Sequence, residues 1–129
     1  MPDRPHRGHD PALAPNDDGT VGVDPDIVRE LFLQDCNEVT TGRALSRLTR
    51  QSLTSFAQPP RQIAWQQKPA TYFVCTADLA TPAEVQRRRV RAGARLAEFD
   101  AGHHPFLSRP DAFAQTIAAE IDSARSPST

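Results

Sequence analysis

Asp78 and the His103-His104 doublet are the residues of this 129-residue chain whose types and setting could do chemistry. Asp78 lies three residues past the run Thr71-Tyr72-Phe73-Val74-Cys75, and the doublet sits in Gly102-His103-His104-Pro105, just past a second short run, Arg95 to Phe99. In parallel α/β sheets, ligands and reacting groups gather beyond the carboxyl ends of the strands. If the two runs are neighbouring strands, ~4.8 Å apart, the loops after them lie roughly 5–10 Å from one another. A carboxylate and an imidazole would then meet. The carboxylate of such a pair fixes the ring's tautomer and stabilises the imidazolium once the ring has taken a proton from a nucleophile. The same residues also have a plainer use, with Asp78 capping the Thr81-Pro82 turn and the doublet lying in solvent. Spacing alone leaves both open.

Other chemistries find little support. Cys36 and Cys75 have no second Cys or His at ligand spacing, so neither a disulfide framework nor a zinc site is predicted, and no cofactor is implied. His6 and His9 fall in a proline-rich arm and read as solvated, while adjacent side chains such as His103 and His104 seldom reach one metal ion. The polar start Met1-Pro2-Asp3-Arg4 has no apolar signal core, and no stretch approaches the ~18 apolar residues of a membrane span. A reducing, cytoplasmic setting is therefore expected, with no membrane partner. Lys and Arg number 15 against 16 Asp and Glu, a net charge of −1, which gives no field to draw in nucleic acid. Arg87, Arg88, Arg89, Arg91 and Arg95 spread around a helix rather than along one stripe, with few aromatics for base stacking. They read as a solvated face, and no nucleic-acid partner is predicted.

The elements that must position Asp78 and His103 follow from pattern. The length suits one domain, but Leu, Ile, Val and Phe make up only a fifth of it and the 12 prolines are about double the usual share. Residues 1–19 show no period and read as a flexible tail, with order beginning near Asp24. Asp24-Pro25 supplies a cap and a first helical residue, after which Ile27, Val28, Leu31 and Phe32 form an apolar stripe. A second helix fits Asn37 to about Leu48, with Val39, Leu45 and Leu48 as its stripe. Residues 51–70 read as extended or irregular, with Trp65 and Tyr72 as packing residues. The buried-strand composition of Thr71 to Cys75 precedes a helix from Pro82 to about Ala92, a strand over 95–99, and a last helix from Pro110 with Phe113, Ile117 and Ile121 at four-residue spacing. Residues 67–123 thus form a right-handed parallel β-α-β-α unit, and 124–129 a disordered tail. The fold class is α/β.

Two ordered segments resemble the α/β-hydrolases. Tyr72-Phe73-Val74-Cys75-Thr76-Ala77-Asp78-Leu79-Ala80-Thr81-Pro82, followed by Gln86-Arg87, resembles the strand and acid-bearing loop of that fold. Leu96-Ala97-Glu98-Phe99-Asp100-Ala101-Gly102-His103-His104-Pro105-Phe106-Leu107-Ser108-Arg109-Pro110 resembles its last strand, histidine loop and final helix start. The pattern is nearest to the small esterase group that includes plant methyl-ester esterases and hydroxynitrile lyases, over about residues 16–121. Residues 20–66 resemble that group's lid region. By this resemblance Asp78 takes the role of triad acid and His103 that of general base, since the family's base directly follows Ala-Gly; His104 departs from the family's usual small residue. The resemblance implies an incomplete α/β-hydrolase fold, lid-type helices followed by the β-α-β-α unit with two parallel strands. Asp before His agrees with the Ser, Asp, His order of that fold.

The nucleophile of that fold sits in Gly-x-Ser-x-Gly and one oxyanion donor follows it. Glycines here stand at 8, 19, 22, 42, 93 and 102, and no pair flanks a serine or cysteine at that spacing. Negligible esterase activity is expected from the chain alone, with an ester-type small molecule as substrate only if an N-terminal half complements it. A start inside a longer or disrupted reading frame is the expectation, and the upstream DNA tests it. Two parallel strands make a poor sheet, so marginal stability and self-association are expected. The alternative is a non-enzymatic binding or regulatory module that docks through its exposed sheet edge.

Overall fold

The computed structural model describes residues 13–90 and 93–125. Leu13–Pro15 (β1), Thr20–Val23 (β2) and, further on, Gln51–Ser52 (β3) form a small antiparallel sheet in the order β1-β2-β3. Order therefore begins before Asp24, and Leu13 to Gly19 do not belong to a tail; residues 1–12 lie outside the described residues. The turn Asn16 to Gly19 makes the hairpin possible. Asp18 accepts hydrogen bonds from the backbone N–H and hydroxyl of Thr20, and Gly19 takes a φ of +80°, which only glycine adopts freely.

Pro25–Leu31 (α1) starts as its residues dictate, with Asp24 accepting from the N–H groups of Asp26 and Ile27. Glu38–Ser46 (α2) starts at Asn37, whose side chain accepts from Thr40 N–H. The stripe expected on this second helix does not form its buried face. Val39 is 71% exposed, and Thr41 is buried in its place. Two short 3-10 turns, Leu53–Phe56 and Ala64–Gln66, occupy the irregular segment, and Trp65 lies largely in the open rather than in a core.

Thr71–Cys75 (β4), Ala83–Arg89 (α3) and Arg95–Phe99 (β5) form the expected crossover, and the strands pair parallel from Thr71↔Arg95 to Cys75↔Phe99. The helix stops at Arg89 because Val90 is already extended; residues 91–92 lie outside the described residues, and Gly93 turns the chain with a φ of +95°. Arg87 of α3 pairs with Glu98 of β5. A short helix absent from the sequence reading, Pro105–Ser108 (α4), precedes Pro110–Arg125 (α5). The last helix thus runs to Arg125, into the segment expected to be a disordered tail; residues 126–129 lie outside the described residues.

The core is small. Val74 is fully buried, and Cys75, Phe99 and Ala101 are nearly so. Phe113 of α5 meets the rings of Phe73 and Phe99 edge to face, at 5.7 and 5.1 Å. Ile117 and Ile121, on the same stripe, remain exposed. Thr71 hydroxyl donates to Glu120, which fastens α5 to the start of the sheet.

One consequence of the register matters for the site. Arg95 N–H bonds Ala70 O and Thr76 N–H bonds Phe99 O. In a parallel ladder this phase turns the backbone groups of Tyr72 and Val74 toward β5, and those of Thr71, Phe73 and Cys75 toward the opposite, open edge.

Candidate active site

The two loops converge because the ladder continues past both strands. Thr76 N–H bonds Phe99 O and Ala77 N–H bonds Ala101 O, both at 3.0 Å, so the acid loop and the base loop leave the sheet side by side. His103 Nδ1 then lies 2.8 Å from Asp78 Oδ2. The side chains are 29% and 5% exposed. His104 makes no such contact.

Asp78 closes its turn and meets the imidazole as well. Its Oδ1 accepts from the N–H groups of Ala80 and Thr81, each at 2.9 Å, and closes the turn before α3. Its Oδ2 is thereby aimed at His103. With the carboxylate accepting, Nδ1 carries the proton, which in the neutral ring leaves the lone pair on Nε2. Nε2 has no hydrogen-bond partner among the described residues. Beside the ring, Phe32 packs edge-on with centroids 4.7 Å apart.

Gln86 belongs to the resembling segment, but no role for it follows from the sequence. It is 4% exposed and reaches from α3 to the open edge of β4. Its Oε1 accepts from Cys75 N–H at 2.9 Å, while its amide donates to Cys75 O at 2.9 Å, to Thr81 O at 2.7 Å and to Asp78 Oδ2 at 3.3 Å. A side chain here takes the place of a neighbouring strand at Cys75 and also steadies the acid. Its helix position alone assigns it no task, because a lone Gln in an Arg-rich helix reads as solvated.

A cavity of about 230 Å³ runs from His103 and Asp78 along that open edge, past Phe73 and Cys75; no serine lines it. Burial, and then the charges of Asp78 and Asp35, push the Cys75 thiol above its ordinary range, so it is protonated at neutral pH and a poor nucleophile. Among the described residues, no group of three or more His, Cys, Asp or Glu has the placing of a metal site, and no helix is long and apolar enough to cross a membrane.

His104 faces elsewhere. It lines a separate groove of about 480 Å³ with Val28, Leu33, Leu48 and Phe106. Burial, followed by the neighbouring His103, holds its imidazole below the ordinary range. A base whose pKa is lowered by folding binds its proton more readily in the unfolded chain. Stability is therefore expected to fall as pH drops through about 6.5, the ordinary histidine value, and to level off below the folded value. Urea titrations at pH 7.5 and 5.5 check this, the expected result being a smaller loss of stability in His104→Gln than in the parent chain.

Parallel strands with a crossover helix, and an acid–imidazole pair beyond their carboxyl ends, define an α/β protein of hydrolase type. Residues 1–116 match the family described as "Alpha/beta hydrolase family". The "Alpha/beta hydrolase nvfD" of Aspergillus novofumigatus (strain IBT 16806) is 32% identical over 105 residues, 78% of this chain and 42% of that protein. Among solved structures, polyneuridine aldehyde esterase matches with a TM-score of 0.68 at 19% identity, over 83% of this chain and 46% of that one. A pyrethroid hydrolase from Sphingobium faniae JZ-2 matches with a TM-score of 0.66 at 24% identity, over 95% and 53%. The chain belongs to the alpha/beta hydrolase family. It spans 42% of the length of the curated relative and about half that of these solved structures.

Proposed function

We propose that this chain supplies the acid and base of an ester-type hydrolase, Asp78 and His103, to a nucleophile carried by another polypeptide segment, and turns over no ester alone. The observation that carries the proposal is the 2.8 Å contact between His103 Nδ1 and Asp78 Oδ2, with Nε2 left open beside a cavity. A serine hydroxyl placed at Nε2 would donate its proton to the ring as its oxygen attacks an acyl carbon; the imidazolium formed is held by Asp78 and later gives its proton to the leaving alkoxide.

No Gly-x-Ser-x-Gly occurs in the 129 residues. Without the nucleophile the triad fails as a unit, at a cost of about 10⁶ in turnover, and each oxyanion donor absent costs about 10²–10³ more. In this reading residues 20–66 act as a lid, and the strand edge left open at Thr71 and Phe73 receives the complementing segment or a second copy. The two free thiols suit a reducing, cytoplasmic setting. That same open edge favours a second reading, a binding module without catalysis.

Turnover of p-nitrophenyl acetate by the purified chain, alone and co-expressed with a nucleophile-bearing N-terminal half of a relative, separates these. Rescue that vanishes in His103→Ala is the expected result. Association without rescue favours the binding module. Brisk turnover by the chain alone, lost on changing one of its own serines, contradicts the proposal.

A further inference from the structure

Gln34 and Asp35 follow α1 by a few residues, yet they bond to both loops of the candidate site across 43 and 67 residues of sequence. Asp35 Oδ2 accepts from Gly102 N–H at 2.7 Å. Gln34 Nε2 donates to Ala77 O at 2.8 Å. Gly102 immediately precedes His103 and Ala77 immediately precedes Asp78, so one dipeptide grips the residue ahead of each member of the pair. The segment is itself anchored, since Leu33 is 3% exposed and Phe32 lies against the His103 ring.

The fit at Gly102 is close. A Cβ there would fall 2.5 Å from Asp35 Oδ1 and 2.8 Å from Gln34 Nε2. Any side chain here would have to push the Asp35 and Gln34 side chains off the loops, so what matters at this position is space rather than backbone angle, as its φ is not positive. Gln34 Oε1, by contrast, is buried with no hydrogen-bond partner among the described residues. Such an orphaned acceptor is unfavourable. What this glutamine gains in its place is the single bond to the acid loop.

We propose that Gln34 and Asp35 form a positioning strap: Asp35 sets the base loop through Gly102, Gln34 sets the acid loop through Ala77, and together they hold His103 Nδ1 on Asp78 Oδ2. The proposal rests on the reading of Asp78 and His103 as acid and base. Ordinary packing would not need to bond the backbone on both loops. Reacting groups need placing to within about 0.5 Å, and side chains on loops meet that only when a further layer of bonds fixes the loops. A carboxylate on a backbone N–H is among the stronger bonds available for the purpose.

Nuclear magnetic resonance on the ¹⁵N-labelled 129-residue chain tests the strap without requiring turnover. The readouts are the His103 Nδ1–H resonance, its exchange with water, and amide protection at Gly102 and, as a control for global folding, at Val74 in the β4–β5 ladder. Asp35→Ala is expected to speed Nδ1–H exchange about tenfold and to unprotect Gly102 while Val74 stays protected, the change one lost charge-assisted bond allows. Asp35→Asn keeps an acceptor oxygen and is expected to restore most of the slow exchange. Gly102→Ala is expected to reproduce Asp35→Ala with the aspartate intact. Should Asp35→Ala also unprotect Val74, Gln34→Ala decides, with faster Nδ1–H exchange expected there too. Unchanged Nδ1–H exchange in a folded Asp35→Ala, or in Gln34→Ala where that variant decides, overturns the strap. Absence of a hydrogen-bonded Nδ1–H signal from the parent chain would instead overturn the acid–base reading beneath it.

Discussion

In a complemented assembly that hydrolyses p-nitrophenyl acetate, His103→Ala is expected to lower kcat by about 10⁶ and Asp78→Asn by about 10⁴. The two losses differ because the residues act at different removes. Without the imidazole, nothing accepts the nucleophile's proton. With Asn at 78 the ring remains, but the side-chain amide can donate to Nδ1, which moves the ring's proton to Nε2 and hides the lone pair that should do the work. The turn-closing role of Asp78 survives this change, since an Asn oxygen can still accept from Ala80 and Thr81 N–H, while only the longer bond from Gln86 is lost. Loss of activity in Asp78→Asn therefore reads chemistry rather than folding. His104→Gln provides the contrast: its ring lines the other groove and is expected to alter kcat less than tenfold. Equal losses at 103 and 104 would mean the base has been assigned to the wrong ring.

Gln86→Leu is expected to destabilise the chain by on the order of 3–5 kcal/mol, because it strands several buried polar groups at once. Cys75 loses the partner of both its N–H and its carbonyl, Thr81 loses the donor to its carbonyl, and Asp78 Oδ2 keeps only His103. Net stabilities of folded domains are about 5–15 kcal/mol, and a core this small places the chain at the lower end. The variant should therefore be largely unfolded at 25 °C. Urea denaturation followed by circular dichroism measures the change. Gln86→Glu keeps the acceptor for Cys75 N–H but loses the donors and brings a second carboxylate toward Asp78, so it should be destabilised as well. A loss below about 1 kcal/mol in Gln86→Leu would show that water or a rearranged chain satisfies the strand edge equally well.

Where local chemistry decides structure, the sequence could be read. Asp24-Pro25 and Asn37 carry their own capping oxygens, and both helices begin there. The β-branched and aromatic run at 71–75 has no other good use than a strand, and its parallel pairing with 95–99 follows from the helix between them. That topology alone brings Asp78 and His103 to one end of the sheet. The first sheet was missed because its strands are two to four residues long and one ends in Pro15, leaving no period to detect. Asp18-Gly19 was the available signal, a turn dipeptide of the kind that closes hairpins. The stripes at Val39 and Ile121 failed for the opposite reason: apolar spacing marks a face without saying what covers it, and here little does. Gln34, Asp35 and Gln86 act on backbone groups of distant residues. Which backbone groups they hold has no local signature, even for Gln86 in its family-like segment, so the support around the pair became visible only in three dimensions.

Covalent labelling asks whether, as proposed, the base resides on this chain while the nucleophile lies on another segment. An alkyl phosphonofluoridate phosphonylates a serine oxygen only where a neighbouring base activates it, and mass spectrometry of the digested protein locates the adduct. The expected result is no adduct on the purified 129-residue chain, an adduct on the complementing polypeptide in the assembly, and sharply slower labelling there when His103 is replaced by alanine. A stoichiometric adduct on any serine of this chain by itself would contradict it.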